Sequence, residues 1–91
     1  MEIVKLDGRK FTSKEVLHQT LKKQLDFPSF YGENADALWD CLTGFIGLPI
    51  TIEWEFYKES QIMLGEEADL ILKTFQDAQE EMIDKFYIIV K

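Results

Sequence analysis

Ile50-Thr51-Ile52-Glu53-Trp54, started after Pro49, reads as a strand in the middle of the chain with helical sequence on both sides. Toward the N-terminus lies the segment Asn34-Ala35-Asp36-Ala37-Leu38-Trp39-Asp40-Cys41-Leu42-Thr43-Gly44, a short helix that Asn34 starts and Gly44 closes in left-handed geometry. Phe27 to Gly32 before it is an aromatic loop. A further helix spans about Ser13 to Leu25, with Val16, Leu17, Thr20, Leu21 and Leu25 on one stripe. Thr12 is its expected N-cap, Glu15 completes a capping box, and Phe11 and Val16 form a staple. This helix must end before Pro28, which disfavours helical geometry at the residue before it. Glu2 to Leu6 alternates and meets the turn signal Asp7-Gly8, a first strand.

Toward the C-terminus, Glu55 to about Met63 forms a short helix that Gly65 interrupts. Glu66 to Glu81 is a longer helix with Leu70, Ile71, Thr74, Phe75 and Ala78 as its buried stripe. Glu66, Glu67 and Asp69 lie in its first turn, where the macrodipole favours acids. Phe86-Tyr87-Ile88-Ile89-Val90 is a continuous apolar strand, which implies burial on both faces. Strand, helices, strand, helices, strand is the order of an α/β fold with crossovers and a small parallel sheet.

Ninety-one residues with a 46% hydrophobic fraction suffice for one small domain, residues 1–91. No apolar run approaches the roughly 20 residues of a membrane span. The start, Met1-Glu2-Ile3-Val4-Lys5-Leu6, does not read as a signal peptide. With the single Cys41, this points to a cytoplasmic protein without disulfides. The net charge of −7, from 17 acids and 10 bases, argues against nucleic acid and anionic membrane as partners. Six acids (Asp26, Glu33, Asp36, Asp40, Glu53, Glu55) and no base fall between Gln24 and Tyr57, while Lys5, Arg9, Lys10, Lys14, Lys22 and Lys23 crowd the N-terminal quarter.

At about 100° per residue, Leu38, Cys41 and Leu42 fall on the core side of the middle helix, and Asp36, Trp39, Asp40 and Thr43 fall opposite. With no base between Lys23 and Lys58, the counter-charge for this face is expected on another molecule. A solvated surface is the plainer reading of the same pattern, and Trp39, Phe30, Tyr31 and Phe45 serve equally as structure or contact. Tyr31 is expected to pack against the sheet and Phe30 to be exposed. Cys41 reads as a small buried hydrophobe, and the lone His18 as a surface or packing residue. No catalytic residue and no cofactor is expected, because paired carboxylates at work need a cleft that separates their pKa values. A site for Mg²⁺ or Ca²⁺ on Glu33, Asp36 and Asp40 would lack further oxygen ligands, and no zinc pattern exists, so no metal is expected either.

Leu17-His18-Gln19-Thr20-Leu21-Lys22-Lys23, Tyr31-Gly32-Glu33-Asn34 and Asp36-Ala37-Leu38-Trp39-Asp40-Cys41-Leu42-Thr43-Gly44 resemble the barstar family, intracellular inhibitors of the ribonuclease barnase. The resemblance extends over the whole chain, including Glu53-Trp54 and the apolar terminal strand. It implies a three-stranded parallel sheet packed with about four helices, and a protein that plugs a small secreted ribonuclease with its second helix. Asp40 matches the aspartate that takes the phosphate site, Asp36 the second acid, and Trp39, Thr43 and Gly44 their interface neighbours. The same resemblance places Phe30, Asn34, Phe45, Gly47, Asp77 and Glu81 in the partner-binding set. Phe30 stands where the family pattern has tyrosine, Phe45 where it has tryptophan, Gly47 where it has an acid, and Asp77 where it has glutamate. The implied partner is a basic, barnase-like ribonuclease in a 1:1 complex, the free protein being a monomer. The alternative is an acidic barstar-like module for a different toxin or a regulatory partner with a basic groove.

Overall fold

In the computed structural model, which describes residues 2–91, the three expected strands are present: β1 (Glu2–Asp7), β2 (Ile50–Glu55) and β3 (Phe86–Val90). Met1, which entered the cytoplasmic reading, lies outside the described residues. β2 is central and pairs in parallel with both neighbours, Val4 opposite Ile52 and Ile52 opposite Ile88. Parallel neighbours need crossovers, and helices supply both. A 3-10 turn (Gly8–Lys10), α1 (Lys14–Gln24) and α2 (Ala35–Gly44) join β1 to β2, and α3 (Tyr57–Leu64) and α4 (Glu66–Glu81) join β2 to β3. The architecture is the three-stranded parallel sheet with four helices that the sequence implied. Among the described residues, no helix is long and apolar enough to cross a membrane.

The core forms where the helices cover one side of the sheet. Trp54 on β2 is fully buried, with Phe11 edge-on at 5.8 Å and Phe75 of α4 at 6.2 Å between ring centroids. An indole buried there needs an acceptor for its N–H. Trp54 Nε1 donates to Ser60 Oγ at 3.0 Å, and Ser60 Oγ donates to the Gly8 carbonyl at 2.8 Å. A Cβ on Gly8 would collide with Ser60 Oγ and with the Glu55 and Phe56 carbonyls, so glycine is required for this close approach.

Several local expectations are corrected. Ser13, not Thr12, caps α1: its Oγ accepts from the Val16 amide at 3.2 Å, which leaves Thr12 outside the helix and exposed. Gly44 is the last residue of α2 and not a left-handed cap; Phe45 closes the helix at φ −122°, its amide donating to the Cys41 carbonyl. Leu70 is not on the buried stripe of α4 but 49% exposed, while Ala68 is buried in its stead. β3 is an edge strand and not buried on both faces: Phe86 is buried, but Ile89 and Val90 are exposed.

Candidate protein-binding face

The ten residues of α2 carry two opposite faces. Asn34 Oδ1 accepts from the Ala37 amide at 2.8 Å, so the first turn is capped and the positions after it are held in register. Leu38, Cys41 and Leu42 point into the core, as the helical period requires. Asp36, Asp40 and Thr43 are exposed on the other side. Neither Asp36 nor Asp40 has an ion-pair or side-chain hydrogen-bond partner among the described residues. Thr43 turns its hydroxyl inward, Oγ1 donating to the Trp39 carbonyl at 2.8 Å. Trp39 departs from the simple two-sided picture, being half-buried and packed against the core.

Two hollows flank this ridge. One, about 300 Å³, is lined by Phe30, Tyr31, Gly32, Ala37, Asp40, Cys41 and Phe45. Its walls are mostly apolar, and Phe30 (73% exposed) and Phe45 (60% exposed) meet edge-to-face across 5.9 Å. The other, about 240 Å³, runs between α2 and α4 and is lined by Ala35, Asp36, Trp39, Leu70, Lys73, Thr74 and Asp77. The fold therefore brings Phe30, Asp36, Trp39, Asp40, Phe45 and Asp77 around one ridge. Asn34 caps the helix behind it. Gly44, Gly47 and Glu81 are exposed but line neither hollow.

Leu70 and Lys73 belong to this face and were missed in the sequence. Lys73 Nζ pairs with Asp77 at 3.2 Å, one helical turn away. The expectation that the acidic face lacks a neighbouring cation thus holds along the chain but not in space. The (i, i+4) spacing of Lys73 and Asp77 was the available signal; their position opposite Asp36 was not legible.

The loop entering α2 is anchored from below. Tyr31 is buried, its ring against Phe27 at 4.9 Å and its hydroxyl 2.7 Å from His18 Nδ1. His18 is fully buried on α1, so it is a packing residue. Burial holds the imidazole below its ordinary value, against an opposing pull from the Glu67 carboxylate. Burial likewise pushes the Tyr31 phenol well above its usual range, so it keeps its proton. His18 Nε2 and Glu67 Oε1 are buried without a hydrogen-bond partner among the described residues. Burial, helped by the nearby charge of Asp40, raises the Cys41 thiol, which makes it a poor nucleophile. Among the described residues, no group of three or more His, Cys, Asp or Glu side chains is arranged to hold a metal ion.

A model of the family described as "Barstar (barnase inhibitor)" matches residues 1–90. The chain is also similar to a Bacillus subtilis (strain 168) protein named "Putative ribonuclease inhibitor YrdF", with 50% identity over 91 residues that cover 100% of each chain.

Proposed function

This chain belongs to the barstar family, and from that premise we propose that it inhibits a small, basic, secreted ribonuclease by laying α2 and its flanking loops over the nuclease active site. The observation that supports this most is the state of Asp36 and Asp40: both are exposed on a capped helix, and neither has a cationic partner among the described residues. At (i, i+4) two carboxylates repel by roughly 0.2–0.5 kcal/mol, so the pair does not serve folding. A ribonuclease cleft must gather cations to bind phosphate. Asp40 occupies the phosphate position and accepts charge-assisted hydrogen bonds, best from arginine, whose planar fork meets a carboxylate with two bonds. Because the helix is already formed, little ordering entropy is lost on docking.

The hollow beside Asp40 receives the side chain that the nuclease projects next to its phosphate site, and the Phe30–Phe45 pair gives it a hydrocarbon rim. Both rings lack the polar handle that tyrosine or tryptophan would carry, so the rim selects by shape and apolar contact rather than by hydrogen bonds. The partner is engaged 1:1, in the cytoplasm, before the nuclease is exported. Charge of opposite sign on the two proteins speeds their encounter and makes it salt-dependent, as barnase–barstar itself exemplifies.

The test is an inhibition titration against a barnase-type ribonuclease at two salt concentrations, comparing the natural chain with Asp40→Ala. The substitution should weaken inhibition by more than about 30-fold, the 2 kcal/mol that marks a hot spot, and leave the melting temperature nearly unchanged. Equal inhibition by both proteins near the dissociation constant would overturn the assignment. Inhibition of no ribonuclease by either would favour a different toxin or a regulatory partner with a basic groove.

A further inference from the structure

We propose that Lys73 is a specificity-setting residue inside the binding face: its ammonium holds the Asp77 carboxylate that a cation of the target would otherwise take. The inference rests on the reading of this face as the ribonuclease-binding surface. Its basis is the groove between α2 and α4, where Asp36 stands on one side and Lys73 and Asp77 on the other, over Trp39, Leu70 and Thr74. Lys73 Nζ lies 3.3 Å from Asp77 Oδ1 and 3.2 Å from Oδ2, so one ammonium covers both carboxylate oxygens.

Lys73 is the one base in α4, and α2 has none, while the acids of the groove come from both helices. The groove therefore presents two acids of different availability. Asp36 is unpaired among the described residues and offers its charge at once. Asp77 is already paired, and a guanidinium or ammonium from the partner must share the carboxylate with Lys73 or displace it. Lys73 is 71% exposed along its side chain, so it can swing aside without unpacking the core. Displacement then leaves its ammonium close to the incoming cation, an unfavourable juxtaposition of like charge. A nuclease with arginine or lysine opposite Asp77 is penalised, and one with an uncharged group there is not. Such repulsive elements are a common means of separating related partners.

The experiment is a double-mutant cycle on binding to a barnase-type ribonuclease that carries a cation opposite α4, using Lys73→Gln, Asp77→Asn and both together. Lys58→Gln, a lysine on α3 that lines neither hollow, controls for the change in net charge, and Asp40→Ala for the binding face as a whole. At low salt, Lys73→Gln should tighten binding by about fivefold, the upper range for an exposed ion pair, and Lys58→Gln by less than about twofold. Asp77→Asn should cost less than about twofold while Lys73 is present and about fivefold once it is gone. The inference is overturned if Lys73→Gln gains no more than Lys58→Gln, or if Asp77→Asn costs the same in both backgrounds. If Asp40→Ala also leaves binding unchanged, the reading of the face fails and the inference falls with it. An effect of Asp40→Ala beside an additive cycle removes the role of Lys73 alone.

Discussion

Tyr31→Phe removes a single hydroxyl from the loop that delivers the chain into α2, and the structure sets what that should cost. The ring stays: it is 5% exposed and packed between Phe27 and His18, so phenylalanine fills the same space. What goes is the 2.7 Å hydrogen bond to His18 Nδ1. The imidazole cannot recover it from solvent, being fully buried, and its Nε2 has no hydrogen-bond partner among the described residues either. Leaving a buried polar group unsatisfied costs about 1–3 kcal/mol, well above the net worth of an average hydrogen bond. For a chain of this length each kcal/mol lowers the melting temperature by roughly 4–8 °C, so a mid-range cost of 2 kcal/mol corresponds to about 8–16 °C. Thermal and urea unfolding followed by far-ultraviolet circular dichroism measure this, with the urea midpoint falling by about 1–2 M at unchanged slope. Adding His18→Leu to Tyr31→Phe should restore most of the loss, because removing both partners abolishes the orphaned group. A Tyr31→Phe protein within about 0.5 kcal/mol of the natural one would refute the argument. A double variant no better than the single would place the cost elsewhere.

Three further outcomes are expected. His18 is held below its ordinary value when folded, so the unfolded chain takes up the proton first; stability is full above an unfolded pKa of about 6.5 and declines as pH falls below it, by at most about 1.4 kcal/mol per pH unit. His18 is the single histidine, so His18→Gln should flatten the pH dependence of the urea midpoint between about pH 6.5 and 5, and an unchanged slope would sink the idea. Gly8→Ala drives a methyl into Ser60 Oγ and two carbonyls, one of them on β2, and should destabilise by about 1–3 kcal/mol or more in the same unfolding assay; an unaltered melting temperature would mean that the strand and turn part at little cost. Asp40→Ala should separate the two properties, losing inhibition while keeping the melting temperature.

What the sequence disclosed is what repeats over short range. The period of α2 separated Leu38, Cys41 and Leu42 from Asp36 and Asp40, and Asn34 marked its start. The bounds of α4 follow from Gly65 and the acids of the first turn. What stayed hidden depends on order in space. An apolar run such as Phe86–Val90 has the same composition at a sheet edge as at its centre, and only strand order decides its exposure. Thr12 and Ser13 are both good caps, and the capping-box pattern favoured the wrong one. Leu70 fits a buried stripe by spacing, but it lies at the rim of the α2–α4 groove. The role of Lys73 needed two helices far apart in sequence to be set side by side, which no local pattern encodes.

The two tryptophans of the chain differ in environment, Trp54 fully buried in the core and Trp39 half-buried at the wall of the groove. Their emission should accordingly respond differently to binding and to unfolding. Denaturation exposes both indoles to water, whereas a partner seated on α2 alters the surroundings of Trp39 and leaves Trp54 in the dark interior it already has. With docking on α2 as proposed, complex formation and unfolding should carry distinct fluorescence signatures in the unlabelled protein, so that docking could be timed without confusing it with loss of the fold.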